Sequence, residues 1–155
     1  MDRKNLEAAS KILKVGGWFP AVVFVGHLIL KYVVQIYSFW PRADMPLHFL
    51  GGLSIAVFVS GAFRLLSREA ADASRAQLLE LVLIVSLTAA AAVFWEFGEF
   101  ASDQLFGTGL QGSLMNTMWD MILGMAGALV VAGVRLWQMG VGMKDVQEFV
   151  ADVAG

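Results

Sequence analysis

The sequence predicts an all-α fold, an integral membrane bundle of four transmembrane helices with both termini cytoplasmic, and three observations predict it. Hydrophobic residues make up 58% of the 155 and charged residues 15%, against roughly 45–50% and 25% in soluble domains. The apolar residues gather into four continuous runs, each close to the roughly 20 residues a helix needs to cross a bilayer. The lysines and arginines fall almost wholly on one side of those runs.

The four runs are 17–40, 45–66, 77–100 and 117–137. The breaks between them carry loop chemistry: Pro41-Arg-Ala-Asp, then the polar stretch 67–75, then the glycine-rich stretch 101–116. Barrel strands do not fit, because the runs are continuous and about twice the length of the 9–11 residues a barrel strand needs. Trp18, Trp40, Trp95, Trp119 and Trp137 fall near run ends, where amphipathic rings favour the interface. The polar lead 1–14 is followed by an apolar stretch too long for a signal core, with no small-x-small cleavage site, so the first helix is expected to stay as an anchor. Residues 2–14 and 143–153 show apolar stripes at helical spacing against charged ones, and are expected to be amphipathic interfacial helices. Residues 1–155 then form a single membrane domain. Gly52 with Ala56, and Gly124 with Ala128, put small residues at four-residue spacing, which lets helix backbones approach closely within the bundle.

Orientation follows from charge. Arg3, Lys4, Lys11, Lys14, Arg64, Arg68, Arg75, Arg135 and Lys144 lie on one side, Arg42 alone on the other, and Lys31 within the first run. Positive-inside asymmetry puts the nine in the cytoplasm, and the chain in the cell inner membrane as a multi-pass protein.

Several classes of chemistry drop out. The net charge of −2, with no basic stretch interleaved with aromatics, argues against nucleic acid. Without cysteine there are no disulfides, thiolate metal sites or cysteine nucleophiles. No G-x-S-x-G surrounds any serine, and Gly107-Thr-Gly-Leu-Gln-Gly lacks the lysine of a phosphate loop.

The polar residues inside the runs do carry a signal. Asp44 and His48 open helix two at i,i+4, Glu96 and Glu99 close helix three at i,i+3, and Asn116 and Asp120 open helix four. Three helices therefore bring acids to one membrane face, the non-cytoplasmic one. Asp103 is expected on loop surface, and Asp44 or Asn116 could serve simply as helix caps. An ionisable group near the bilayer centre costs roughly 2.5–3.5 kcal/mol on insertion scales, so carboxylates gathered there need protons, cationic partners or a metal ion. Carboxylates with an imidazole suit zinc, manganese or iron. Asp44, His48, Glu96, Glu99 and Asp120 are the candidate ligands, with Glu96 and Glu99 also the candidate acid–base pair. On helix one, His27, Lys31 and Gln35 form a second polar stripe. Lys31, about 13 Å of helix from Trp40, is expected to snorkel or to meet an acid, Glu96 being the deepest.

The segment Asp44-Met-Pro-Leu-His48-Phe-Leu-Gly-Gly resembles the D-x-x-x-H-F opening of VanZ-like and YjdF-like bacterial membrane proteins. Trp95-Glu96-Phe-Gly-Glu99 is similar to their W-E-x-x-E helix end. The stretch from Gln111 through Asn116-Thr-Met-Trp-Asp120 to Gly127 is similar to their last aspartate–glycine helix. The resemblance covers roughly residues 44–128. It implies a small multi-helix membrane protein with a polar outer cluster, in a family linked to glycopeptide-antibiotic tolerance. Asn116 stands where many relatives have aspartate and Gly124 where some have asparagine, which thins the implied site.

The expected function is metal-assisted hydrolysis or transfer on a lipid or envelope-precursor head group at the outer leaflet. Two other classes use the same residues: a non-enzymatic subunit of a larger membrane complex with a membrane-protein partner, and a small cation- or proton-coupled carrier.

Overall fold

The computed structural model describes residues 7, 10, 11, 13–67 and 73–140. Four helices long and apolar enough to cross a membrane account for nearly all of them, with no strand among the described residues. The surface helices expected over 2–14 and 143–153 fall almost wholly outside the described residues.

The first span, α1, covers Leu13–Val33. It is α-helical over Trp18–Leu28, preceded by a kink at Gly16, whose φ of 175° and ψ of −3° are not helical, and followed by a wider π-type turn at Ile29–Val33. Pro20 lies in the first α-helical turn, where its missing N–H removes no helix bond. The helix ends sooner than the apolar run that predicts it. Gln35 adopts a left-handed conformation with φ 52°, and single 3₁₀ turns follow at Ile36–Ser38 and Pro41–Ala43. The predicted run continues to Trp40, and no glycine or proline marks the stop at Gln35. The turn folds Tyr37 back over the start of the next helix.

That helix, α2, spans Asp44–Leu66; α3 spans Ala73–Phe106 and α4 spans Leu114–Met139. At about 1.5 Å per residue α3 is longer than the roughly 30 Å hydrocarbon layer, so it carries Asp103 as helix, not as the loop surface expected. Ser113 caps α4 by accepting from the Asn116 N–H at 3.3 Å, and Gly140 ends it in the left-handed conformation, the usual helix-stop geometry. The cap role considered for Asn116 thus belongs to Ser113.

The interior is built from small residues. A methyl group on Gly52 of α2 would overlap the backbone of Gly124 on α4, and one on Gly127 would lie 2.5 Å from Leu53 N and Phe49 O. Ala56, Ile84 and Ala128 are fully buried beside this seam. Large apolar side chains such as Val33, Phe94, Leu105 and Trp137 point outward; in a bilayer close packing of small residues, not hydrophobic burial, joins helices.

One end of the bundle is pinned by charge. Glu80 of α3 is 3% exposed and accepts from Arg135 of α4 and from the Ser60 hydroxyl of α2 at 2.7 Å. Arg135, 55 residues from Glu80 in the chain, grips both of its carboxylate oxygens.

Candidate metal centre

The other end gathers Asp44, His48 and Asp120. Asp44 is the first residue of α2, where a carboxylate suits the positive end of the helix dipole. One turn on, His48 Nε2 lies 3.4 Å from Asp44 Oδ1. Asp120 enters from α4, its Oδ2 3.9 Å from the same nitrogen. One ligand atom from each of the three falls within 4.8 Å of the others.

A polar collar fixes them. Asn116, one turn before Asp120, donates through Nδ2 to Asp44 Oδ2 at 3.2 Å and to Asp120 Oδ2 over a short bond. The Tyr37 hydroxyl donates to Asp44 Oδ1 at 3.1 Å. Burial first, and then the Asp44 charge, push the Tyr37 phenol above its ordinary value, so it stays a donor at neutral pH. Neither partner was singled out as a site residue by sequence. Asn116 was visible as a polar residue at a helix start, whereas Tyr37 depends on the turn at Gln35.

Burial makes the cluster chemically demanding. Asp120 is 1% exposed and Glu96 4%. Asp120 Oδ1 and Glu96 Oε1 have no hydrogen-bond partner among the described residues. A buried unsatisfied acceptor costs about 1–3 kcal/mol, more when charged. Two oxygens left free beside an imidazole are what a proton or a cation would satisfy. Two carboxylates and one histidine also leave coordination positions open, the arrangement of a reactive metal site in contrast to a closed structural one.

The two glutamates stand beside this group, outside the 4.8 Å set. Glu96 neighbours Thr117 and lies close enough for its charge to act on His48 and Asp120. Glu99 is half-buried and accepts from Trp95 Nε1 at 3.1 Å. The Trp95 ring meets His48 edge-on at 6.4 Å and His27 at 5.5 Å, so one indole contacts both histidines. Asp103 serves elsewhere: its carboxylate accepts from the Thr108 hydroxyl and from the Leu110 and Gln111 N–H groups, folding the 107–111 turn over the end of α3. Lys31 does not pair with Glu96; its ammonium lies 5.9 Å from the ring centroids of Tyr32 and Tyr37.

A family model described as "Predicted membrane protein (DUF2238)" matches residues 11–140. No curated protein and no solved structure matches the chain.

Proposed function

The chain belongs to this DUF2238 family of membrane proteins, and we propose that within it the Asp44–His48–Asp120 group binds a divalent metal ion for hydrolysis or transfer on a lipid or envelope-precursor head group. The observation that carries this reading is the convergence of one ligand atom from each of the three residues within 4.8 Å, with the second Asp120 oxygen, Oδ1, buried and without a hydrogen-bond partner among the described residues. Two carboxylates with one imidazole fit zinc, manganese or iron. A metal there would activate water and polarise the ester under attack. Glu96, with its free Oε1, is the group placed to take the water's proton, and Glu99 the second acid–base candidate at the rim.

On the nine-to-one distribution of basic residues, the centre lies at the outer leaflet of the inner membrane, with both termini cytoplasmic. The VanZ-like and YjdF-like resemblance of residues 44–128 supports a cell-envelope role. The carrier alternative has less to rest on. Ala56, Ile84 and Ala128 are fully buried between the Glu80–Arg135 end and the cluster. The hydroxyls of Ser54 and Thr88 are the nearby buried polar groups, and no carboxylate is buried with them among the described residues.

Metal analysis of protein purified in mild detergent tests the reading. A stoichiometric divalent ion is expected, lost in Asp120→Asn and in His48→Ala and retained in Asp103→Asn. Wild-type protein that is folded, and that binds added zinc, manganese or iron no more tightly than Asp120→Asn, overturns it.

A further inference from the structure

Against the acid cluster, α1, α2 and α3, with Gly124 of α4, line a half-open cavity of about 210 Å³. His48 belongs to the cavity wall as well as to the acid cluster, so the two spaces are contiguous. Most of the remaining wall is apolar or small, including Val23, Phe24, Leu47, Ala91 and Ala92. Apolar cavities of roughly 150 Å³ stay dry and accept a hydrocarbon guest, and the medium around this one is hydrocarbon chain. Gly51 lines the cavity, and a Cβ built there meets nothing within 4 Å. The wall at that point therefore leaves space beside the Gly51 backbone.

Charge defines the other end of the guest. Lys31 lies one turn beyond His27, which lines the cavity. Its ammonium has the Tyr32 and Tyr37 rings beside it, and Glu99 is near enough for the two charges to act on each other, but no carboxylate lies within ion-pair distance among the described residues. Tyr37 is also the residue that bonds Asp44, so this cation stands at the rim of the centre. A cation held inside a span with no carboxylate in direct contact has room for a further anion against it.

We propose that the cavity and Lys31 together bind a lipid-borne phosphate, with its hydrocarbon chain in the cavity and its phosphate between Lys31 and the metal centre. The inference rests on the metal reading only for what happens to the phosphate. Selection of chain and charge needs no metal, and this makes the two readings separable.

The probe is dodecyl phosphate carrying a photoactivatable diazirine at its chain end, used on purified protein before and after removal of metal by a chelator. Saturable labelling of residues on the cavity wall, such as Ile55 or Ala91, is expected in both preparations. Unlabelled dodecyl phosphate should compete at least about tenfold better than dodecanol or inorganic phosphate, since each of those lacks one of the two anchors. Gly51→Leu starts from a Cβ that meets nothing within 4 Å, takes up cavity space with its side chain, and should weaken labelling about tenfold or more. Lys31→Gln should weaken labelling by the phosphate probe and leave a dodecanol probe unaffected. Absent or unsaturable labelling in metal-replete protein overturns the proposal, as does labelling unchanged by Gly51→Leu, or inorganic phosphate competing as well as the lipid. Cavity labelling that persists in a protein found to bind no metal would overturn the metal reading and leave this one standing.

Discussion

Arg135 of α4 forks the carboxylate of Glu80 on α3, with Nε 2.7 Å from Oε1 and Nη2 3.0 Å from Oε2. The Ser60 hydroxyl closes the third side, so three helices meet at one buried charge. Removing a single partner leaves the other charge stranded, at a cost of about 3–5 kcal/mol. Thermal unfolding in detergent should show Glu80→Met or Arg135→Met each losing stability on that scale. The double variant should lose less than the sum of the two. Simple additivity would mean that the pair contributes no coupling.

The seam between α2 and α4 gives a second test. Gly52→Ala forces a methyl group into the Gly124 backbone, whereas Gly51→Ala, one residue away, meets open space. Overpacking of a close contact costs about 1–3 kcal/mol. Gly52→Ala is therefore expected to lower the unfolding temperature clearly, and Gly51→Ala to leave it unchanged or raise it slightly. Equal behaviour of the two would show that the helices do not meet at Gly52.

Sequence position and hydropathy made the four helices legible, because spanning a bilayer requires length and apolarity that few other structures need. They also placed the acids at one end, since depth along a helix follows directly from residue number. Rotation about each helix axis was less legible. Glu96 and Glu99 are three residues apart, yet Glu96 is buried beside Thr117 while Glu99 turns to the Trp95 indole. The stop at Gln35 had no glycine or proline to announce it, and with it went the position of Tyr37. The Glu80–Arg135 pair joins residues that only the packed fold brings together.

Orientation in the membrane can be checked directly. On the proposed orientation, which rests on the distribution of basic residues, the α2–α3 connection is expected in the cytoplasm and the α3–α4 connection outside. Cysteines introduced as Ala73→Cys and Gln104→Cys should react from opposite sides, and only Gln104→Cys should react with an impermeant thiol reagent in right-side-out vesicles. The reverse pattern would put the acid cluster on the cytoplasmic face.

The collar around the centre supplies the last test, because it separates holding an ion from merely gathering acids. Asn116 donates to Asp44 and Asp120 together, and Tyr37 donates to Asp44, so neither needs to touch a metal to fix the geometry of its ligands. Loss of such outer partners typically weakens a metal site by roughly 10–100-fold. Asn116→Ala and Tyr37→Phe should each weaken zinc or manganese affinity within that range, and Asn116→Ala the more, since it frees two ligands at once. Asn116→Asp adds a carboxylate where one amide now neutralises two, and should bind the ion at least as tightly as the wild type while being less stable without it. Isothermal titration on metal-stripped protein reads the affinities, and unfolding with and without the ion reads the stability. If Asn116→Ala binds as the wild type does, the amide serves the packing of α2 against α4 alone, and the carboxylates are not organised around an ion.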